Sequence, residues 1–370
     1  MLELEAEFDY SMTLKVVGIG GAGGNALDAL VDEGLSGIDL IAINTDAQAL
    51  ERCSAPQKVQ IGSNLTRGRG AGANPEIGRR AAEESREDIA HALAGADMVF
   101  IASGLGGGTG TGASPVVAEV TRERGALVVA VVTTPFDFEG RRRAAVADHG
   151  LAELKDRVDT LITVSNQRLF GSVDRAMGVG DAFRKANAVL LQGISGITNL
   201  VTKPGLINLD FADVRTILSG AGAALLGVGC AEGADRARAA ALAALSCPFL
   251  SEKQVRGAQN VLLNIESGSS PELTLGEIEE VMKTITEATD GGANIVFGTV
   301  LDETLGGQVR LTVIASGLQS KEDGTQLEMK ETAEGSEGRA LITDIVHGFE
   351  EELDIPTFIR RFRGEHTVAR

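Results

Sequence analysis

A glycine-rich segment between an apolar run and a helix-like segment places the tightest constraint on how this chain can fold. Gly104–Gly112 reads Gly-Leu-Gly-Gly-Gly-Thr-Gly-Thr-Gly, with six glycines and two threonines. The apolar run Met98–Ala102 precedes it, and a helix opening at Ala113-Ser114-Pro115 follows it. Glycine lets backbone N–H groups approach an anion, and a helix N-terminus adds a favourable dipole. The segment predicts a phosphate-binding loop, with a flexible linker as the alternative; because it lacks lysine, it is not a P-loop.

Composition limits the partners of this chain of 370 residues, a length that favours two domains. The formal net charge of −18 disfavours binding to nucleic acid and attraction to anionic lipid. Cys53, Cys230 and Cys247 match no zinc spacing, which indicates free thiols in a reducing compartment. The N-terminus lacks a signal-peptide pattern, and the longest apolar run, Ala126–Val132, is too short to span a bilayer. We expect a cytoplasmic protein with no nucleic-acid partner and no direct membrane insertion.

Strand-like and helix-like patterns alternate through the first half of the chain. Several of the strands are continuous Val/Ile/Leu runs, as expected when helices cover both faces of a sheet. The pattern predicts an α/β, Rossmann-like domain with a doubly wound parallel sheet. A glycine turn is predicted over Gly20–Gly24, a helix from Pro75 to about Leu93, and a long helix over Asp181–Thr202. The predicted strands are Leu14–Ile19, Ile38–Asn44, Met98–Ala102, Ala126–Thr133 and Asp159–Ser165.

The second half predicts a smaller α+β domain. Its last two strands, Asn294–Val300 and Gln308–Ala315, are expected to pair antiparallel because a glycine-containing turn joins them. Beyond residue 318 acids outnumber bases and apolar residues thin out, which predicts disorder. The predicted boundaries are a flexible N-terminal extension (1–12), a nucleotide-binding domain (13–180), a central connecting helix (181–203), the α+β domain (204–318), a disordered acidic linker (319–353) and a C-terminal tail (354–370).

A second glycine motif leaves two kinds of nucleotide open. Gly18–Gly23 fits G-x-G-x-x-G between a strand and a helix, the pattern of NAD-binding and FAD-binding folds. Asp46, near the end of the next strand, is a tolerable match for the acid that binds a ribose. However, three glycine segments lie in the first half: Gly18–Gly24, Gly68–Gly72 and Gly104–Gly112. Several such loops at neighbouring strand ends favour a triphosphate over a dinucleotide.

Two acidic segments each allow a purely structural interpretation and a functional one. In Phe136–Arg143, an acid and an arginine four residues apart can hold a ribose hydroxyl and a phosphate, or form a solvated charged loop. Asn208, Asp210 and Asp213 lie near a predicted helix start. The two aspartates can cap that helix, or can polarise a water molecule for phosphate hydrolysis.

Together these motifs resemble the FtsZ family of the tubulin superfamily, over Leu14 to about Leu318 and again in the tail. Six segments carry the resemblance in the same order: Gly18–Asn25, Asn44–Leu50, Gly68–Pro75, Gly104–Gly112, Pro135–Arg143 and Asn208–Asp213.

The resemblance implies a site for GTP or GDP, with Mg²⁺ bound through the phosphates. The implied phosphate contacts are Gly20, Gly21, Gly107, Gly108, Thr109, Gly110 and Thr111, with Ala71, Gly72 and Ala73 closing over the γ-phosphate. Glu139 would hold the ribose with Arg143 nearby, and the guanine would be framed by Asn25, Asn166, Phe183 and Asn187. Many family members have aspartate in place of Asn187; aspartate accepts from both guanine N–H groups, whereas asparagine offers one acceptor and one donor.

The resemblance also implies assembly. Asp210 and Asp213, with Asn208, would act on the nucleotide of a neighbouring copy, so the α+β domain activates hydrolysis in a head-to-tail filament that builds the cytokinetic ring. The tail from Asp354 to Arg363 resembles a recognition peptide for membrane-anchoring and regulatory division proteins, with contacts from Ile355, Pro356, Phe358, Ile359 and Arg360. Two other hypotheses remain: an NAD-linked enzyme, and a GTP-gated scaffold that polymerises but hardly turns over.

Overall fold

A computed structural model describes residues 12–35, 37–170, 178–203, 205–250 and 255–318. The acidic linker, the recognition tail and all but the last residue of the predicted N-terminal extension lie outside these ranges. One sheet of ten strands has the order β3-β2-β1-β4-β5-β6-β7-β10-β8-β9. Its strands are β1 Leu14–Ile19, β2 Ile38–Asn44, β3 Gln57–Gln60, β4 Met98–Gly104, β5 Leu127–Thr134, β6 Thr160–Ser165, β7 Gly222–Glu232, β8 Asn260–Ser267, β9 Asn294–Leu301 and β10 Gln308–Ser316.

Helices connect most of these strands. Within the described ranges, no helix is long and apolar enough to cross a membrane. The helices are α1 Gly20–Asp32, α2 Ala47–Arg52, α3 Ser63–Thr66, α4 Pro75–Glu84, α5 Arg86–Ala92, α6 Thr109–Glu123, α7 Arg141–Lys155, α8 Asn166–Phe170, α9 Val179–Thr202, α10 Phe211–Leu218, α11 Arg236–Leu245 and α12 Leu275–Ala288.

The strands from β3 to β6 are parallel, which confirms the predicted α/β sheet. Successive residues of β1 point to opposite faces: Val16 packs in a core with Phe100 and α9, and Val17 packs in a second core with Ile101 and α4 to α6. Burial on both faces explains the continuous apolar runs of these strands.

The order of the strands creates a crevice at one edge of the sheet. From β1 the chain moves outward to β2 and β3, then returns to place β4 on the other side of β1 and continues to β5 and β6. In open α/β sheets the connections after such a central pair lead to opposite sides, and ligands bind outside the carboxyl ends of the strands at that point.

The central helix α9 links the two edges of the sheet. Its 24 residues span about 36 Å at the usual rise. Leu190, Ile194 and Ile197 are fully buried at helical spacing, so this face packs on the sheet. Its last residue, Thr202, lies beside Gly37, which precedes the amino end of β2.

The C-terminal strands extend the same sheet. β7 pairs in parallel with β6 (Leu161 beside Ala223) and antiparallel with β10. The predicted pairing of β9 with β10 is wrong, because β8 lies between them and pairs in parallel with β9. The crossover β8-α12-β9 places β9 beside β8, as such connections do. The connection between β9 and β10 therefore returns across β8.

Three local predictions also fail. α1 begins at Gly20, so the predicted glycine turn is the first turn of this helix. α6 begins at Thr109, so Pro115 lies inside it rather than at its start. The helix predicted from Pro75 to Leu93 is broken at Ser85, whose hydroxyl accepts from the Gly62 N–H at 3.1 Å. At Ser85 a contact with a distant loop accompanies the break, and periodicity does not report such contacts.

Candidate nucleotide-binding site

A cavity of about 210 Å³ lies at the carboxyl edge of β1, β4, β5 and β6. It occupies the crevice where the connections diverge, and most of the predicted nucleotide contacts line it. The predicted residues that it brings together are Gly20, Gly21, Gly107, Gly108, Thr109, Gly110, Glu139, Arg143, Asn166, Phe183 and Asn187.

Two helix N-termini meet at one end of this cavity. α1 starts at Gly20 directly after β1, and α6 starts at Thr109 after the glycine loop. Gly20 has φ of +72°, and a Cβ there would lie 3.0 Å from the Gly110 nitrogen, so glycine permits both the turn and the close approach. The free N–H groups of two first turns, with their dipoles, suit the phosphates of a nucleotide.

Buried hydroxyls fix the glycine loop. Thr45 and Thr109 share a hydrogen bond of 2.7 Å between their hydroxyl oxygens. The Thr111 hydroxyl accepts from the Gly106 N–H at 2.9 Å. Thr111 is buried outside the cavity, so the structure does not support the predicted direct contact. This threonine holds the loop in shape.

Glu139 is positioned from both sides. Its side chain is 8% exposed, its Oε2 lies 2.9 Å from Arg143 Nη1, and its Oε1 accepts from the Phe136 N–H at 2.8 Å. The interpretation of Glu139 as a solvated surface charge is therefore wrong, since a buried and doubly held carboxylate is oriented. It lines the cavity in a position to accept from a ligand hydroxyl.

The other end of the cavity is aromatic and amide-lined. Phe183 packs edge-to-face on Phe136, with ring centroids 5.3 Å apart. Asn166 is 5% exposed, and its Oδ1 has no hydrogen-bond partner. Buried polar atoms are nearly always paired in native proteins. The Asn166 amide therefore keeps an acceptor without a partner among the described residues, next to the cavity that this residue lines.

Four predicted contacts lie around the cavity rather than in it. Asn25 is exposed in an adjoining cleft that shares Gly20 and Gly21 with the cavity. Gly72 and Ala73 line another cleft, which shares Gly107 and Gly108. Ala71 is buried beneath the loop, where its Cβ would lie 2.8 Å from a Cβ at position 108.

Asp46 has a structural role. Its Oδ1 accepts from the N–H groups of Gln48 at 2.9 Å and Ala49 at 3.1 Å, so it caps α2. The NAD hypothesis thereby loses its ribose-binding acid.

Asn208, Asp210 and Asp213 lie away from the cavity. Asn187 of α9 lines it, and the 15 residues from there to Thr202 carry the chain about 22 Å to the amino edge of the sheet. The loop bearing Asn208 and Asp210 begins three residues later. Arg215, two residues after Asp213, donates to the carbonyl of Gly125 at 3.2 Å, just before β5. The cavity lies at the other end of β5, about 26 Å away.

The backbone of this loop is anchored to β9, since the Ile207 N–H donates to Thr299 Oγ1 at 2.8 Å and the Ile207 carbonyl accepts from the Thr299 N–H at 2.9 Å. Asn208 Oδ1 accepts from the Gly205 N–H at 2.7 Å and shapes the turn. Asp210 occupies the N-cap position of α10, but its side chain makes no capping hydrogen bond. Asp210 and Asp213 are both exposed. The capping interpretation therefore does not account for the Asp210 carboxylate.

Comparisons with known proteins agree with this geometry. The model of the Tubulin/FtsZ family, GTPase domain, matches residues 13–174, and that of the FtsZ family, C-terminal domain, matches residues 222–319. A solved structure of FtsZ from M. jannaschii, an empty dimer, is 45% identical with a TM-score of 0.80, and the match covers 84% of this chain and 89% of that one. This chain belongs to the FtsZ family.

Two further structures extend the comparison. A point mutant of M. jannaschii FtsZ is 44% identical with a TM-score of 0.80, over 84% of this chain and 92% of that one. CetZ1 from Haloferax volcanii, a GDP-bound monomer, is 24% identical with a TM-score of 0.73, over 84% and 95%, and supports the fold alone. The first half of this FtsZ-family chain is thus a GTPase domain, and its nucleotides are GTP and GDP.

Two residues that shape the site were missed in the sequence. Thr45 is fully buried and holds Thr109; its position after the carboxyl end of β2 was the available signal. Phe136 is 2% exposed and supports Phe183, and its ring also stacks on Phe138 with centroids 4.9 Å apart. Phe136 directly precedes the charged segment 137–143, and no pattern in the sequence marks its ring as the support of Phe183.

Proposed function

We propose that this FtsZ-family chain polymerises head to tail with GTP and hydrolyses that GTP at the contact between subunits. One copy would hold the nucleotide in the cavity, and the next copy would supply Asn208, Asp210 and Asp213. The carrying observation is that the cavity and these carboxylates lie at opposite edges of one sheet. A heterologous contact of this kind generates a filament unless its rotation closes a ring.

The local features of both edges suit such a contact. The carboxylates are too far from their own cavity to act there, whereas a stacked neighbour would bring an equivalent pair to it. Leu206 is 62% exposed and Ile207 is 36% exposed beside Asn208, and exposed apolar side chains of this kind favour burial against a partner. Asp210 and Asp213 would orient and polarise the attacking water, while the glycine loop and the two helix N-termini bind the phosphate oxygens.

Mg²⁺ would accompany the nucleotide. In the part of the chain that the structure describes, no three His, Cys, Asp or Glu side chains are grouped to hold a metal. Phosphate oxygens and water are the ligands that Mg²⁺ favours in nucleotide sites, so the ion would be held chiefly through GTP. Its charge would stabilise the negative charge on the transferring phosphoryl group.

The cellular role that follows is a cytoplasmic filament that builds the cytokinetic Z ring at the inner face of the membrane. The acidic chain would need adaptors there, because anionic lipid repels it. Ile355, Pro356, Phe358, Ile359 and Arg360 of the tail would recruit those membrane-anchoring and regulatory proteins. These residues lie outside the described ranges.

Sedimentation with parallel phosphate release tests the proposal. With GTP and Mg²⁺ the full chain should pellet and should release phosphate with a rate per subunit that rises with protein concentration, because each site needs a neighbour. Pelleting with negligible phosphate release would instead favour the GTP-gated scaffold. Absence of GTP-dependent pelleting would refute the filament.

A further inference from the structure

A groove leads sideways out of the nucleotide cavity. The cavity of about 210 Å³ shares Gly107, Gly108, Glu139 and Arg143 with a cleft of about 370 Å³. That cleft shares Arg142 and Val146 with a third cavity of about 430 Å³ between α4 and α7. Because each space shares lining residues with the next, the three are adjacent and together mark a path beside α7.

The outer part of the path follows one face of α7. Its lining residues on this helix recur at helical spacing over three turns, about 16 Å: Arg142, Val146, His149, Gly150 and Glu153. The opposite wall is the start of α4, with Pro75, Glu76 and Arg79. α7 covers a face of the sheet, since its Ala147 and Leu154 join the core beneath α4 to α6. The path therefore turns from the carboxyl edge onto the flank of the domain.

Unpaired positive charge decreases from the inner end of this path to its outer end. At its inner end Arg143 is paired with Glu139, whereas no described carboxylate lies within salt-bridge distance of Arg142. At the outer end each basic side chain has a carboxylate beside it: Arg79 lies 2.7 Å from Glu76, and His149 lies 3.4 Å from Glu153. An anion would be attracted at the inner end and would meet no uncompensated cation farther out.

We propose that this groove is the exit route for the inorganic phosphate that GTP hydrolysis produces. The inference rests on the proposed function. Water attacks the γ-phosphorus, the bond from that phosphorus to the β–γ bridging oxygen breaks, and the products are GDP, orthophosphate and a proton. In the proposed filament a neighbour would cover the carboxyl edge, whereas α7 lies on the flank of the domain, so phosphate could leave there while the filament stays intact.

Two kinds of variant obstruct the route without touching the groups assigned to binding or hydrolysis. Arg142→Glu reverses the charge at the inner end, and Val146→Trp narrows the passage. Matched controls on the same helix are Arg141→Glu and Ala144→Trp, because Arg141 and Ala144 are exposed and line none of the three spaces.

The experiment uses preassembled full-length filaments in a single turnover. Acid quench measures GTP cleavage, and a fluorescent phosphate-binding protein measures free phosphate. Arg142→Glu and Val146→Trp should lengthen the delay between the two signals roughly tenfold, with pelleting and the cleavage rate unchanged, because local fields and constrictions alter ion flux by that order. The controls should retain the wild-type delay.

A wild-type delay in both Arg142→Glu and Val146→Trp would overturn the exit route, as would the same lengthening in the controls. A wild-type chain that neither pellets nor cleaves GTP would instead refute the proposed function. That failure is distinguishable because it is seen before any variant is compared.

Discussion

The two edges of the sheet differ in how completely each is built within one subunit. At the carboxyl edge the cavity is preformed: Thr45 holds Thr109, Glu139 is bonded on both sides, and Asn166 is buried with a free acceptor. At the amino edge Asp210 and Asp213 are exposed, and the Asp210 carboxylate does not cap its helix. The difference teaches that binding can be organised by one chain, whereas hydrolysis is left incomplete until a second chain arrives.

The strongest test of the preformed cavity is a negative charge introduced into it. A Cβ at Gly107 would meet no atom within 4 Å, so Gly107→Glu inserts a carboxylate into the cavity without a clash. We expect GTP affinity to fall about a thousandfold or more, since like charges held together cost several kcal/mol. A fluorescent GTP analogue measures the affinity, and a thermal melt checks the fold. Gly276→Glu on α12, which is equally free of clashes, is the control; equal affinity loss in both variants would deny that the cavity binds GTP.

The next largest effect is expected at the amino edge. Asp210→Ala should retain GTP affinity within about twofold and lower turnover about a hundredfold, the usual range for a missing acid–base group. The matched control is Asp235→Ala, because Asp235 is also an N-cap residue without a side-chain capping bond. Phosphate release at the wild-type rate from Asp210→Ala filaments would remove its catalytic role.

A smaller effect is expected from removing the charge of Glu139 while keeping its shape. Glu139→Gln keeps an oxygen for the Phe136 N–H but loses the charge that holds Arg143. GTP affinity should weaken about tenfold, with turnover at saturating GTP nearly unchanged, because a hydrogen bond to a charged group contributes about 1.5 kcal/mol or more. Titration calorimetry measures the change. Glu83→Gln, at an exposed residue of α4 that pairs with Arg86 of α5, should have no effect; equal weakening there would indicate a general charge effect.

The smallest expected effect concerns the base. Asn187 lines the cavity and offers guanine one acceptor where aspartate would offer two. Asn187→Asp should tighten GTP binding about threefold, the size of one modest net hydrogen bond, and leave ATP binding negligible. Competition between GTP and ATP measures it. Weaker GTP binding in the variant would place the guanine elsewhere in the cavity.

Much of this architecture could be predicted from the sequence, for physical reasons. Strands buried on both faces leave continuous apolar runs, which predict the parallel sheet. The long helix predicted over Asp181–Thr202 corresponds to α9, Val179–Thr202. Glycine loops at strand ends indicated phosphate binding. These features depend on local residues and their spacing.

What failed depends on contacts distant in sequence. The position of β10 between β7 and β8 is set by which strand edge remains open, and a glycine turn does not encode it. The break at Ser85 depends on Gly62, and the support of Phe183 depends on Phe136. Likewise, Asp46 fits a ribose-binding pattern in the sequence, whereas in the structure its carboxylate caps α2.

The central claim is that a cavity and a carboxylate loop from different subunits form one site, and mixing two inactive variants tests it most directly. Asp210→Ala retains the cavity, and Gly107→Glu retains the loop. Where a Gly107→Glu subunit docks its loop on the GTP-filled cavity of an Asp210→Ala subunit, an intact cavity meets an intact loop, so phosphate release should exceed the sum of the two variants alone. Recovery no greater than the sum of the two variants alone, with both chains present in the pellet, would contradict the claim.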